Sequence, residues 1–379
     1  MACVYVEAGS GSTRYYTLTQ QSHPARGSSG PDNSKGLQDR NPLRGKSQMT
    51  RLGMNPGRGK ASAYRPARVT AAVLVHIPHF SGYFEGRFPV LIACLTSLVE
   101  NTAIPLDLMV FDNGSCTEVQ EYLRELQGRG VIQLLFRSAR NLGKAGALRQ
   151  VFGAAPGELV AYCDDDFYFF PGWLEAQLEI LDTFPNVGMV SGYAIPSLFA
   201  PQRISAALEF GRSQGAELKA GKFIPEEWIR DWALSTGRRA NQEVEAASAI
   251  GEFVIEYQGL SAFAAANHDQ FLAPKEVIQQ CLTAEWSGKL MGGMLELDEA
   301  VNRAGYLRLS TRLRTVQHLG NRLSEDLAAG LPATIGAANM PRPGRGGSPR
   351  WWKRFLGWRP VRSILLGLYS RLFHLINPE

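Results

Sequence analysis

The sequence has no close pair of cysteines. Its five, Cys3, Cys94, Cys116, Cys163 and Cys281, are odd in number and far apart, which excludes a disulfide framework and a cysteine zinc site and reads as reduced thiols in a cytoplasmic protein. An apolar signal core is missing from the N-terminus, and so is any run of about eighteen uncharged apolar residues, so neither export nor a spanning helix is expected. Acid is scarce at both ends: Glu7, Asp32 and Asp39 are the only carboxylates in the first seventy residues, and residues 342–371 have none. The net charge of +5 therefore lies mostly outside the expected core. With 45% hydrophobic and 20% charged residues, the 379-residue chain is ordinary enough to be globular, not wholly disordered.

Residues 1–68 are rich in Gly, Ser, Pro, Arg and Asn without a helical or strand period, and are expected to form a disordered basic arm. They lack the interleaved aromatics of a nucleic-acid arm, so no nucleic-acid partner is expected. Met54, close to the first expected strand, leaves a later start open. From 69 the pattern alternates. Strands are expected over 71–77, 106–111, 131–136 and 159–163, with helices over 88–100, 117–127 and 143–152 between them. Such alternation means parallel strands with helices on both faces, and a ligand beyond the carboxyl ends of the strands. Further on, a helix starting at Pro171 runs to 181, a strand covers 187–194, and 197–250 reads as mobile loops with one short helix. Strands at 253–257 and 261–266, helices at 276–282 and 296–304, and short strands at 307–309 and 315–317 complete the core over 69–325.

The apolar run over 159–163 ends in Asp164, Asp165 and Asp166. Three carboxylates at the end of a buried strand repel one another and resist desolvation, so something positive must offset them, and a divalent cation is the obvious candidate. Asp164 and Asp166, two apart, can hold one Mg²⁺ or Mn²⁺ while the cation grips phosphate oxygens.

This triplet, together with Asp112-Asn113-Gly114-Ser115 and the segment Arg140-Asn141-Leu142-Gly143-Lys144-Ala145-Gly146-Ala147, resembles the family 2 glycosyltransferases over residues 70–320. The resemblance implies an α/β GT-A (Rossmann-like) fold, a mixed, mainly parallel sheet with helices on both faces. It implies a nucleotide-sugar half over 69–195 and an acceptor half over 196–325. It also implies roles for single residues. Pro78 would help form the base pocket, and Asp112, beside Asn113, would accept a hydrogen bond from base or ribose. Asn141, Gly143 and Gly146 look like the family's Asn-x-Gly segment, with Lys144 or Arg140 reaching a phosphate; the same glycines also suit the tight start of a helix. Asp164 would hold the ribose and join Asp166 at the metal, and Asp165 would be a bystander or a second ligand.

Glu296 and Asp298 resemble the family's general-base pair, here split by Leu297. A helix separates them by about 200°, so only one can face the site; Asp298 is the stronger choice, and dipole-favoured acids at a helix start are the alternative. His318 resembles the C-terminal histidine that completes the metal shell in related enzymes, and imidazole suits Mn²⁺ better than Mg²⁺. Trp228, Trp232 and His268 would line an acceptor pocket or belong to the core. A flexible linker over 326–349 leads to a basic, tryptophan-rich amphipathic tail over 350–379, expected to rest on an anionic membrane surface at the inner face of the cell membrane. The expected activity is transfer of a sugar from a nucleotide-diphosphate donor to a glycan or lipid-linked hydroxyl. A sugar-nucleotide nucleotidyltransferase and a non-catalytic carbohydrate-binding protein are the competing readings.

Overall fold

The computed structural model describes residues 53–213, 215–282, 290 and 292–323. Most of the basic arm, the linker over 326–349 and the tail over 350–379 lie outside the described residues. The chain divides into two units, Met1–Ser62 and Ala63–Glu379. The described part of the first holds turns, closed by Arg58 N–H donating to the Asn55 carbonyl at 3.0 Å and Lys60 N–H to that of Gly57 at 3.1 Å.

The second unit opens with the expected alternation: β1 (Val69–Val75), α1 (Arg87–Glu100), β2 (Leu106–Asn113), α2 (Thr117–Gly128), β3 (Leu134–Ser138), α3 (Gly143–Ala154) and β4 (Leu159–Asp164). β1 lies between β2 and β4, parallel to both, and β3 pairs with the outer side of β2. Every residue of β1 is buried. Val69, Ala71, Val73 and Val75 pack on one face with Leu91, Leu95 and Leu98 of α1, while Ala72 and Leu74 pack on the other with Ala147, Leu148 and Val151 of α3. A strand covered on both faces reads as an unbroken apolar run, and each fully buried Val or Leu contributes roughly 1.5–3 kcal/mol.

The chain continues as β5 (Phe167–Phe169), α4 (Trp173–Thr183), β6 (Val187–Ser191), α5 (Pro201–Phe210), β7 (Ala216–Gly221), α6 (Glu226–Ser235) and α7 (Ala240–Ser248). Then come β8 (Glu252–Tyr257), β9 (Leu260–Phe263), β10 (Gln270–Pro274), α8 (Lys275–Cys281), α9 (Met294–Arg303), β11 (Leu307–Thr311) and β12 (Val316–His318). The large sheet has the order β3-β2-β1-β4-β10-β6-β11-β9-β8-β7. β7, β9 and β10 oppose the other seven strands, so the sheet is mixed and mainly parallel, as expected.

The structure corrects several expectations. β10 was not anticipated, because its apolar core is only Phe271, Leu272 and Ala273; it runs antiparallel between β4 and β6. Residues 197–250 are not mobile loops: they form α5, β7, α6 and α7. Their apolar stripes are narrow, α6 burying only Ile229 and Ala233 and α7 only Ala247, so no clear period shows in the sequence. Pro171 precedes α4, which starts at Trp173 after Gly172 in the left-handed region at φ +79°. β5 and β12 make a separate antiparallel pair. Among the described residues no helix is long and apolar enough to cross a membrane, and the four described cysteines are free.

Candidate active site

Two of the motifs meet at the ends of β1 and β2. Gly114, at φ +85°, lets the turn after β2 approach the backbone of Arg140 and Asn141 so closely that a Cβ there would lie 3.1 Å from both the Arg140 carbonyl carbon and the Asn141 nitrogen. Asn113 uses the contact: its Nδ2 donates to Asn141 Oδ1 at 3.0 Å and its Oδ1 accepts from Leu142 N–H at 2.8 Å. Asn141 Oδ1 also accepts from Gly143 N–H at 2.8 Å, which fixes the start of α3. His76 closes the ring. Its Nδ1 donates to the Asn113 carbonyl at 2.9 Å, leaving Nε2 to accept from Asn141 Nδ2 at 3.0 Å, an arrangement for neutral imidazole that fits the lowering of its pKa by burial. Asp112 is buried. Its Oδ1 accepts from Ser115 N–H at 2.8 Å, while Oδ2 has no hydrogen-bond partner. Pro78 is half-buried, next to Ile77, whose N–H donates to Ser115 Oγ at 3.0 Å; the Arg140 side chain is exposed.

The acidic triplet finds its positive partners within the protein. Arg87, the first residue of α1, is buried and donates from Nη1 to Asp166 Oδ2 at 2.5 Å, from Nη2 to Asp165 Oδ1, and from Nη1 to the Gly320 carbonyl at 3.2 Å. Lys144 Nζ donates to Asp164 Oδ2 at 2.6 Å and to Asp269 Oδ1 at 2.9 Å. Asp269 arrives through β10: Gln270 pairs with Cys163, and Asp164 N–H donates to the Asp269 carbonyl at 3.0 Å. Lys144 was expected to reach a phosphate. Its ammonium is instead buried and engaged by two carboxylates; burial alone would lower its pKa, and Asp164 and Asp269 outweigh that and raise it. Tyr162 Oη donates to Asp164 Oδ1 at 2.6 Å, so both oxygens of Asp164 are engaged.

Burial pushes Asp165 up to about 7, against the pull of Arg87. Asp166 is also buried, but Arg87 and His318 hold it well below the usual carboxylate range. His318 Nε2 lies 3.4 Å from Asp166 Oδ2, while Nδ1 is 2.7 Å from Ser235 Oγ at the end of α6. The antiparallel pair of β5 and β12 sets this position by placing His318 opposite Phe167, and Leu319 N–H donates to the Asp166 carbonyl at 2.7 Å. Asp166 Oδ1 is buried without a hydrogen-bond partner. Among the described residues no group of three or more His, Cys, Asp or Glu is arranged to hold a metal ion.

Asp298 and Glu296 part company, as helical spacing requires. Glu296 is exposed in the first turn of α9, a place the helix dipole favours for an acid. Asp298 does not open onto the cleft as expected: its side chain is 0% exposed. Oδ2 faces His268 Nδ1 at 2.7 Å, and Oδ1 lies 2.6 Å from Arg308 Nη2 in a buried ion pair. His268, with its side chain 17% exposed, stands in front of it, its Nε2 3.4 Å from Asp269 Oδ1. Trp228 and Trp232 pack against the core with Arg314 and Arg238 over their rings at 5.7 and 4.9 Å. Sequence reasoning missed Arg87, Asp269 and Arg308. Arg87 sits in an otherwise apolar helix, which was the one signal available.

The sheet is that of an α/β domain whose parallel strands end in polar turns gathered around buried carboxylates. Residues 77–218 match the family described as glycosyl transferase family 2. An uncharacterized glycosyltransferase of Nostoc sp. is 27% identical over 110 residues, 29% of this chain; the match spans 34% of that relative's length. Two solved structures are also similar to the chain. A mannosyltransferase from Pyrobaculum calidifontis, in complex with GDP-Man and Mn²⁺, is 23% identical, with 38% of this chain and 40% of that one covered and a TM-score of 0.30. Glucosyl-3-phosphoglycerate synthase from Mycobacterium tuberculosis, in complex with Mn²⁺, UDP and glucosyl-3-phosphoglycerate, is 13% identical, with 69% and 75% covered and a TM-score of 0.37.

Proposed function

We propose that the chain is an inverting, metal-dependent glycosyltransferase. It moves a sugar from a nucleotide-diphosphate sugar to a hydroxyl of a glycan or lipid-linked acceptor in cell-surface polysaccharide or glycolipid synthesis. One observation carries the reading: the Asp112–Asn113 turn, the Asn141–Gly143 turn and the triplet with His318 converge beyond the carboxyl ends of β1, β2 and β4. On the donor side, the unpartnered Asp112 Oδ2 suits an N–H of the base or a ribose hydroxyl. Pro78, Asn113 and Arg140 complete that side.

The charges at the triplet support a cation. Four carboxylates, Asp164, Asp165, Asp166 and Asp269, gather there around Arg87 and Lys144, with His318 beside Asp166 and His268 beside Asp269. Asp166 and His318 fit a metal: the buried, unpartnered Oδ1 and the adjacent imidazole make a donor pair suited to Mn²⁺. Bound there, the ion would neutralise the diphosphate leaving group. Asp164 is left to hold Lys144, and Asp165 to hold Arg87. The acceptor hydroxyl attacks the anomeric carbon from the face opposite the diphosphate and gives up its proton toward the Asp298–His268 pair. A single displacement inverts the configuration.

The composition of residues 350–379 supports contact with an anionic membrane surface; undiminished membrane sedimentation after deletion of 341–379 would remove that part. The activity test is incubation with labelled UDP-, GDP- and dTDP-sugars with and without Mn²⁺. Transfer or hydrolysis that needs Mn²⁺ and is lost in Asp166→Ala is the expected result. Consumption of nucleoside triphosphate selects a nucleotidyltransferase instead, and no turnover of either removes the reading.

A further inference from the structure

Asp298 is completely buried, and its two oxygens face two different groups: Oδ2 His268 at hydrogen-bond distance, and Oδ1 the Arg308 guanidinium as an ion pair without a hydrogen bond. Arg308 is itself buried, with Nη1 donating to the Arg203 carbonyl at 3.0 Å and Nη2 to that of Ala266 at 2.5 Å. It cannot turn toward a substrate, and it closes the inner side of Asp298. A carboxylate with a side chain 0% exposed does not reach an acceptor hydroxyl. It can act only through the one neighbour that is partly exposed, the His268 ring. Because Nδ1 of that ring is turned to Asp298, Nε2 lies on the opposite edge, beside Asp269 and hence at the Lys144–Asp164 end of the triplet.

Resting on the transferase reading, we propose that His268 Nε2 is the proton acceptor of the reaction, with Asp298 as the residue that positions it. The acceptor O–H bond breaks as its oxygen bonds to the anomeric carbon. The proton passes to Nε2, and the electron pair of the broken anomeric C–O bond leaves on the nucleotide diphosphate. Asp298 Oδ2, 2.7 Å from Nδ1, stabilises the imidazolium, which then returns its proton to solvent. The groups facing His268 are Asp298 of α9, Asp269 ahead of β10 and Lys144 of α3, with Arg308 of β11 behind Asp298. Burial lowers the imidazole pKa, and the carboxylates of Asp269 and Asp298 outweigh it and raise it, against Lys144. The neutral, proton-accepting form therefore accumulates on the alkaline side of an ordinary histidine.

Nitrogen-15 NMR of histidine-labelled protein tests the tautomer without any assay. Neutral His268, assigned by its loss in His268→Gln, is expected to carry its proton on Nδ1; a neutral ring protonated on Nε2 overturns the proposal. With a nucleotide sugar that the wild type turns over, His268→Gln should lower kcat about 10²–10⁴-fold, keep nucleotide-diphosphate affinity within about threefold, and lose the acid limb of the pH profile. Asp298→Asn should move that limb to lower pH, which a merely structural role would not do. A kcat within threefold of wild type in His268→Gln overturns this role and leaves the transferase reading standing. A wild type inert to all three donor classes removes both.

Discussion

The Arg87 guanidinium bridges neighbouring carboxylates, with Nη1 2.5 Å from Asp166 Oδ2 and Nη2 on Asp165 Oδ1, and all three side chains are nearly inaccessible to water. Removing one partner of such a buried pair strands the other charge. Arg87→Ala is therefore expected to cost about 3–5 kcal/mol in equilibrium urea unfolding. Adding Asp166→Asn removes the carboxylate that Arg87 holds in its charged form and should recover part of that loss, so the double variant should be more stable than Arg87→Ala alone.

Gly320 and Gly237 share φ +73° but differ in their surroundings. A Cβ on Gly320 would sit 2.1 Å from the Ser235 carbonyl oxygen, whereas none of the atoms described comes within 4 Å of one on Gly237. Gly237→Ala should cost only the left-handed strain, about 1–2 kcal/mol. Gly320→Ala should cost more and should also weaken Mn²⁺ binding, because displacing α6 moves the Ser235 hydroxyl that holds His318 Nδ1. Thermal unfolding with and without Mn²⁺ reads both effects.

His318→Ala and Asp166→Asn should each lower Mn²⁺ affinity in direct titration. Asp112→Asn, at the nucleotide end, should leave Mn²⁺ binding in the absence of nucleotide within about threefold. Equal losses in all three variants would point to general disruption instead of a metal pair.

Burial alone would raise the Asp269 carboxyl, but Lys144 and His268 hold it well below the usual carboxylate range. Its folded pKa lies below its unfolded one, so its stabilisation is full above the unfolded value of about 3.9 and is lost as pH falls toward the folded value. Asp269→Asn should accordingly be less stable than wild type at pH 7. Its stability should also fall less steeply between about pH 5 and pH 2 in denaturant titrations.

Much of the sheet from β1 to β4 was legible because strands such as β1 are buried on both faces and so spell themselves as apolar runs. The order of polar clusters at their ends followed from the parallel topology. What stayed hidden depended on non-local pairing. Asp269 reaches the triplet only because β10 lies antiparallel to β4, and His318 reaches Asp166 only because β12 pairs with β5. Asp298 shows a different limit: helical spacing separated it correctly from Glu296 but could not show that His268 stands between it and the cleft. Arg87 escaped notice because an arginine starting a helix ordinarily lies in water, and its burial follows from the acids that converge on it.

The insertion of β10 between β4 and β6 also bears on how the chain is made. During synthesis β4 and β6 leave the ribosome together, but the strand that fills the gap between them emerges only after the whole stretch from Ser191 to Gln270. Until then both present unpaired backbone to solvent, the condition that invites edge-to-edge association. Cutting the gene near residue 195 would make that temporary state permanent, so the two fragments are expected to regain a sheet only when co-expressed.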